Sequence, residues 1–174
     1  MIKKIDFIKT VDALMASNDL DGALDLQQTL VKGHNYVDVG SDKLSLLKML
    51  YYGFKAELIF EEMLKNAKIV YKVEDKYHDY VIQYGDPFVQ MRDSCDYIIN
   101  NKRCDVKFKE RSFFFITDKL FEDWMKSYVN SYKQDEIKRK KLDYFIFFDS
   151  NNHVVTYDCN NNKVVDNRTH NIII

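Results

Sequence analysis

Apolar residues recur at helical spacing through the first third of the chain. Ile5, Ile8, Val11 and Leu14 or Met15 form one stripe. Leu20, Ala23, Leu24, Leu26 and Leu30 form a second that runs out near Lys32-Gly33, where glycine suits a helix C-terminus. Ser41 offers an N-cap for a third run through Leu44, Leu47, Leu50 and Tyr51. Gly53 interrupts that run before Phe54, Leu58, Ile59 and Met63 restore the period as far as Asn66. Residues 41–66 are therefore expected as one helix bent at Gly53 or as two abutting helices.

From Ala67 the pattern changes. Segments 68–73, 80–84, 88–100 and 102–108 are rich in Val, Ile, Tyr and Phe, are broken by Gly85-Asp86-Pro87 and Asn100-Asn101, and predict strands. A long helix is expected next, capped by Thr117 or Asp118, with Leu120, Phe121, Trp124, Tyr128 and Tyr132 on its apolar side. The basic run Lys138-Arg139-Lys140-Lys141 suits the negative end of that helix's dipole. Residues 142–148, containing the longest apolar run, Tyr144 to Phe148, and residues 154–157 predict strands around an Asp149-Ser150-Asn151-Asn152 turn. A further turn and short strand are expected between Asn160 and Ile174. This order of elements predicts an α/β (α+β) fold, a mixed central β-sheet flanked by helices. No linker or repeat divides the chain, so residues 1–174 are expected as a single domain.

Composition narrows the function. With 26 Lys+Arg against 27 Asp+Glu the formal charge is −1, so any nucleic-acid site must be a local patch. One proline and five glycines exclude collagen-like and Pro/Gly-rich disordered chains. No segment approaches the roughly 20 apolar residues of a membrane span, and Met1 to Asp6 has no apolar signal-peptide segment, so a cytoplasmic protein without a membrane partner is expected. Cys95, Cys104 and Cys159 are odd in number and lack a CxxC pair, which fits neither a disulfide framework nor a zinc site; they are expected as small buried apolar residues.

The chemistry concentrates in residues 94–108. Asn100-Asn101 is a plausible two-residue turn, because asparagine tolerates positive φ. That turn pairs Ile99 with Lys102, Ile98 with Arg103, Tyr97 with Cys104 and Asp96 with Asp105. Side chains alternate along a strand, so Arg103, Asp105, Lys107 and Lys109 share one face, while Cys104, Val106 and Phe108 take the other with Tyr97 and Ile99. Opposed like charges destabilise a strand pair unless something neutralises them. A divalent cation does so, and magnesium takes one or two carboxylates plus waters and phosphate oxygens. Lys107, two residues on from Asp105, suits an attacking water or the charge building on a phosphoryl group.

Asp96 followed by Asp105-Val106-Lys107 resembles the PD-(D/E)xK nuclease superfamily, whose pattern is an acidic residue on one strand and acidic-x-lysine on the next. The family often adds a glutamate from the preceding helix. Gly53-Phe54-Lys55-Ala56-Glu57 is similar to that element, making Glu57 the counterpart and Glu61, one turn later, the runner-up. Cys95 departs from the proline often found before the first acid. The resemblance spans residues 53–158, a restriction-endonuclease-like core, with residues 1–52 as an N-terminal helical addition and 159–174 as a C-terminal strand or tail. It implies a Mg2+- or Mn2+-dependent nuclease, with DNA favoured over RNA and endonucleolytic over exonucleolytic cleavage. Asp96, Asp105, Glu57 and the Val106 carbonyl would serve the metal and Lys107 the reaction. A homodimer is compatible with it, since many relatives cut both strands as dimers.

Two other acidic-x-lysine triplets, Glu74-Asp75-Lys76 and Glu136-Ile137-Lys138, fall in a polar loop and on a predicted helix and carry no such role. Lys102, Arg103, Lys109 and Arg111 gather around the hairpin as candidate phosphate contacts. Some viral RNA-cleaving members of the superfamily add a histidine ligand from an N-terminal helix, which would point to manganese and RNA; His34, near Asp38, follows Gly33 in an expected interhelical loop. His78, His153 and His170 have no acid or nucleophile at a telling spacing. A catalytically inactive nucleic-acid- or protein-binding domain of the same fold is the remaining alternative.

Overall fold

The computed structural model of the chain describes residues 2–31, 43–81, 93–110 and 118–165. Its helices and strands follow in the order α1 (Lys4–Ala16), α2 (Leu20–Val31), α3 (Lys43–Asn66), β1 (Tyr71–Lys72), β2 (Tyr97–Ile99), β3 (Lys102–Phe108), α4 (Asp118–Tyr132), α5 (Gln134–Lys140), β4 (Tyr144–Phe148), β5 (Val154–Asp158) and β6 (Lys163–Val164). The strands form one mixed sheet in the order β1-β2-β3-β4-β5-β6. Every neighbouring pair is antiparallel except β3 and β4. That parallel pair follows from the long connection carrying α4 and α5, because a short turn can only return a chain antiparallel.

β4 explains how the layers stack. Phe145, Ile146, Phe147 and Phe148 are all buried, the continuous apolar run expected of a strand covered on both faces. Ile146 and Phe148 join Tyr97, Ile99, Cys104 and Val106 beneath Ala56, Phe60 and Leu64 of α3. Phe145 and Phe147 join Val155 and Tyr157 beneath Phe121, Met125 and Val129 of α4. A mixed sheet flanked by helices is thus the architecture, as the element order implied. A third apolar cluster ties α1 and α2 to the first half of α3 through Phe7, Ile8, Val11, Ala23 and Leu47, with Val81 closing it. No helix among the described residues is long and apolar enough to cross a membrane.

Several boundaries differ from the sequence expectations. Ile5 and Met15 are exposed, and Phe7 takes the inward position in α1. The expected strand 68–73 is reduced to Tyr71 and Lys72, because Lys68 adopts a left-handed conformation with φ 55° that turns the chain out of α3. Within the described part of 80–84, Tyr80 makes only an isolated bridge to Lys3. Of the expected strand 88–100, only Tyr97–Ile99 pairs among the described residues. The single long helix expected before β4 is two, α4 and α5, parted at Lys133 with φ −121° and ψ −2°. The expected turn after Asp158 is present and leads into β6. Gly33, Ser41, the Gly85-Asp86-Pro87 turn, Thr117 and the segment 166–174 lie outside the described residues. The three cysteines are free, Cys95 and Cys104 buried and Cys159 partly so, and burial pushes the Cys95 thiol up to about 11.

α3 runs unbroken through Gly53. A Cβ built at Gly53 meets nothing within 4 Å, so the glycine gives up helix propensity there without relieving a clash. Gly53→Ala should raise stability by about 0.5–1 kcal/mol. Urea unfolding checks this as a higher midpoint at unchanged slope; an unchanged or lower midpoint would mean the helix needs its glycine.

Candidate active site at the hairpin mouth

Asn100 and Asn101 have φ of 51° and 61°, the paired positive values of the tight turns that match strand twist. The ladder they set is Ile99 with Lys102, Ile98 with Arg103 and Tyr97 with Cys104, the register read from the sequence. β2 begins only at Tyr97, so Asp96 and Asp105 meet through their side chains instead of by ladder. The Asp96 N–H donates to Asp105 Oδ1 at 3.0 Å, and the Val106 N–H donates to Asp96 Oδ2 at 2.8 Å. Each aspartate thus braces the other strand's backbone at the hairpin mouth.

The parity of β3 sends Cys104 and Val106 into the α3 layer, and Asp105 and Lys107 toward α5. Asp105 is fully buried. Its Oδ2 accepts from Lys107 Nζ at 3.2 Å and from Lys140 Nζ at 2.6 Å. Lys107 also donates to Glu136 Oε1 at 2.6 Å, and Lys133 and Lys140 flank the same glutamate at 3.2 and 3.5 Å. Glu57, on the α3 side, is paired with Lys4 of α1. Its backbone carbonyl accepts from the Tyr97 hydroxyl at 3.2 Å.

These charges set one another's protonation. Burial, then the Asp96 charge, push Asp105 up to about 6, with Lys107 and Lys140 opposing. Asp96 is raised by burial and by Glu57. Burial works against the charge of Lys107, but Asp105, Asp96 and Glu136 outweigh it and hold the ammonium protonated. Lys140 is held likewise, burial being outweighed by Asp105 and Asp96. Burial would raise Glu136, yet Lys107 and its other partners keep it well below the ordinary carboxylate range.

Asp96, Asp105 and Lys107 therefore converge. Glu57 reaches them through its field on Asp96, but ligand atoms of Glu57, Asp96 and Asp105 do not gather within 4.8 Å. Glu61 bonds Tyr71 and Lys65 instead. The backbone of Val106 lies beside Asp96, and its side chain is buried under α3. Among the candidate phosphate contacts, Lys102 is half exposed, with Asp143 at 3.9 Å. Arg103 is committed to a bidentate pair with Glu74 and to the Lys140 carbonyl at 2.7 Å. Lys109 Nζ lies 3.1 Å from the centre of the Tyr128 ring, a cation–π contact that leaves it poorly placed to meet a phosphate. Arg111, His34 and Asp38 lie outside the described residues.

Comparison with known proteins finds no matching family model, no similar curated protein and no similar solved structure.

Three participants were missed in the sequence: Lys4, Glu136 and Lys140. The basic run 138–141 does end a helix, with Lys138, Arg139 and Lys140 in the last turn of α5, but Lys140 also enters the site. Nothing in the spacing of Lys4 marks it. His78 and His153 also have acidic company: His153 Nδ1 lies 2.8 Å from the buried Asp149 carboxylate in the β4–β5 turn.

Because Asp105 holds its proton more tightly folded than unfolded, the native state carries more protons between its ordinary 3.8 and about 6. Its contribution to stability must then fall as pH rises through that window. Asp105→Asn removes the dependence. In EDTA, the stability of the parent relative to the variant should drop by about 2 kcal/mol from about pH 4 to about pH 7, read by urea unfolding. A flat or rising difference would contradict the buried, repelled carboxylate.

Proposed function

We propose that the protein is a divalent-metal-dependent nuclease acting on DNA, with its reacting centre at the mouth of the β2–β3 hairpin. The observation that carries this is the fully buried Asp105, braced against Asp96 across the hairpin with Lys107 and Lys140 on the same carboxylate. Both aspartates are raised by burial and by neighbouring negative charge, a cost that a cation relieves. Their hard oxygens fit Mg2+ or Mn2+, which accepts one or two carboxylates and completes its shell with water and phosphate oxygens. Asp96 and Asp105 would hold the ion directly and Glu57 through water, and the resemblance implies the Val106 carbonyl as a further oxygen. Such an ion supplies charge stabilisation on a phosphate oxygen and a bound water of lowered pKa.

The chain's own groups do the rest. Lys107, held protonated, stabilises charge building on the phosphoryl group or positions the attacking water. Glu136 orients that lysine, its carboxylate bonding Lys107 Nζ at 2.6 Å. Lys102, half exposed beside the turn, meets backbone phosphates. The hairpin's resemblance to the PD-(D/E)xK pattern supports the same assignment.

Purified protein with Mg2+ or Mn2+ should cleave single-stranded, duplex or branched DNA, and EDTA should stop it. Asp96→Ala, Asp105→Ala and Lys107→Ala should each slow cleavage by about 100-fold or more. Metal binding should strengthen as pH rises through about 6, where Asp105 loses its proton. If no DNA is cut, or if the three variants cut like the parent, the nuclease assignment is wrong.

A further inference from the structure

A second constellation lies one helical turn from Glu57, outside the site above. A carboxylate oxygen of Glu61, a ring nitrogen of His78 and a carboxylate oxygen of Asp79 lie within 4.8 Å of one another. The donors come from two separately fixed elements. Glu61 stands on α3. His78 and Asp79 stand in a turn built by the Tyr77 N–H donating to Asp75 Oδ1, the His78 N–H to the Asp75 carbonyl and the Tyr80 N–H to the Tyr77 carbonyl. The Lys4 N–H, donating to the Asp79 carbonyl at 2.8 Å, pins the turn from outside.

The imidazole is prepared in a way the two acids alone would not require. His78 is 8% exposed, and its Nε2 lies 3.0 Å from the Tyr97 hydroxyl. That hydroxyl has one proton and donates it to the Glu57 carbonyl at 3.2 Å. With the hydroxyl proton directed at that carbonyl, the phenol oxygen is free to accept an Nε2–H from His78, the tautomer in which Nδ1 carries the lone pair. An outer oxygen that takes one ring N–H and fixes the tautomer is the usual support of a metal-bound histidine. Glu61 keeps one oxygen outside its bonds to Tyr71 and Lys65. Burial would raise its carboxyl, but those partners hold it ionised. Lys65, the cation now beside it, is 63% exposed and easily displaced. Asp79 is exposed, and no hydrogen bond or ion pair engages its carboxylate among the described residues.

We infer that Glu61, His78 and Asp79 bind a first-row transition cation of the zinc class, clamping α3 to the 75–80 turn. One imidazole with two carboxylates selects such an ion over magnesium, which prefers oxygen alone. Small side-chain rotations bring donors at this spacing to the 2.0–2.2 Å typical of zinc. The ion is structural and distinct from the one proposed between Asp96 and Asp105.

Titration of the metal-free full chain with Zn2+ alone, by calorimetry and by thermal unfolding, tests it, with Co2+ absorption reporting nitrogen ligation. Besides any Zn2+ taken at Asp96 and Asp105, the parent should bind one equivalent that depends on His78, and gain thermal stability. Asp105→Asn, which keeps the side-chain volume, should retain that equivalent. His78→Ala, and Asp79→Asn at an exposed position where folding is safe, should each weaken it by at least about tenfold. No binding to the parent, binding unchanged in Asp79→Asn, or loss of the His78-dependent equivalent in Asp105→Asn would each overturn the site. Because the readout involves no DNA, these outcomes stand apart from success or failure of the nuclease assignment.

Discussion

Asn100 and Asn101 both take positive φ, and the two-residue turn they form leaves β2 and β3 a single way to pair. Side chains alternate with period two, so a slip of one residue would exchange the faces of β3 completely. Asp105 and Lys107 would then press into the layer formed by Phe60, Leu64 and Phe148, and Cys104 and Val106 would face the lysines of α5. The parity carries into the centre of the sheet, where Asp105 lies opposite Phe145 and Val106 opposite Ile146. The apolar core and the charged site are therefore two consequences of one turn.

The charged cluster is hard to explain as a stability device. Asp105, Glu136, Lys107 and Lys140 are drawn from water into mutual contact, and desolvation of such groups generally offsets most of their attraction. Apolar residues of similar volume would hold β3 to α5 at least as well. Breaking the cluster, by contrast, leaves an unpaired buried charge, at a cost of about 3–5 kcal/mol. Charge that adds little to the fold but must remain complete is the condition expected of groups kept for binding or reaction. The cationic partners of these carboxylates are all lysines, compact charges on flexible stems that give way to another cation more readily than a bidentate arginine. Arg103 illustrates the contrast, since its guanidinium is locked on Glu74 just outside the cluster.

Legibility from the sequence followed the range of the forces involved. The Asn-Asn turn, the alternation along β3 and the apolar run of β4 are local patterns, and each led to the observed register or burial. The site's near side was legible for the same reason, since Asp96, Asp105 and Lys107 lie on one hairpin. Its far side was not. Lys4 reaches Glu57 across 53 residues and Lys140 reaches Asp105 across 35, through packing that no spacing rule encodes. Element ends were misjudged where backbone geometry overrode composition: Lys68 in the left-handed region cuts short the segment before β1, and Lys133 parts α4 from α5. His78 looked isolated because its acidic neighbour Glu61 is 17 positions away on α3 and only the fold brings them together.

α3 is the common rail for both polar clusters. Glu57 and Glu61 stand about one turn apart, about 6 Å along its axis, the first turned toward Asp96 and Lys4 and the second toward His78 and Tyr71. Tyr97 couples them. Its buried ring packs against Phe60 and its hydroxyl spans from His78 to the Glu57 carbonyl, while its backbone begins β2 immediately after Asp96. A shift of α3 along the sheet would therefore disturb Glu57, Tyr97 and His78 together. The N-terminal helices resist that shift, because α1 packs on α3 through Phe7 and Val11 and lends Lys4 to Glu57. The segment that resembles an addition to the core in sequence is, by this contact, part of what holds the hairpin carboxylates and the α3 glutamates in their relative positions.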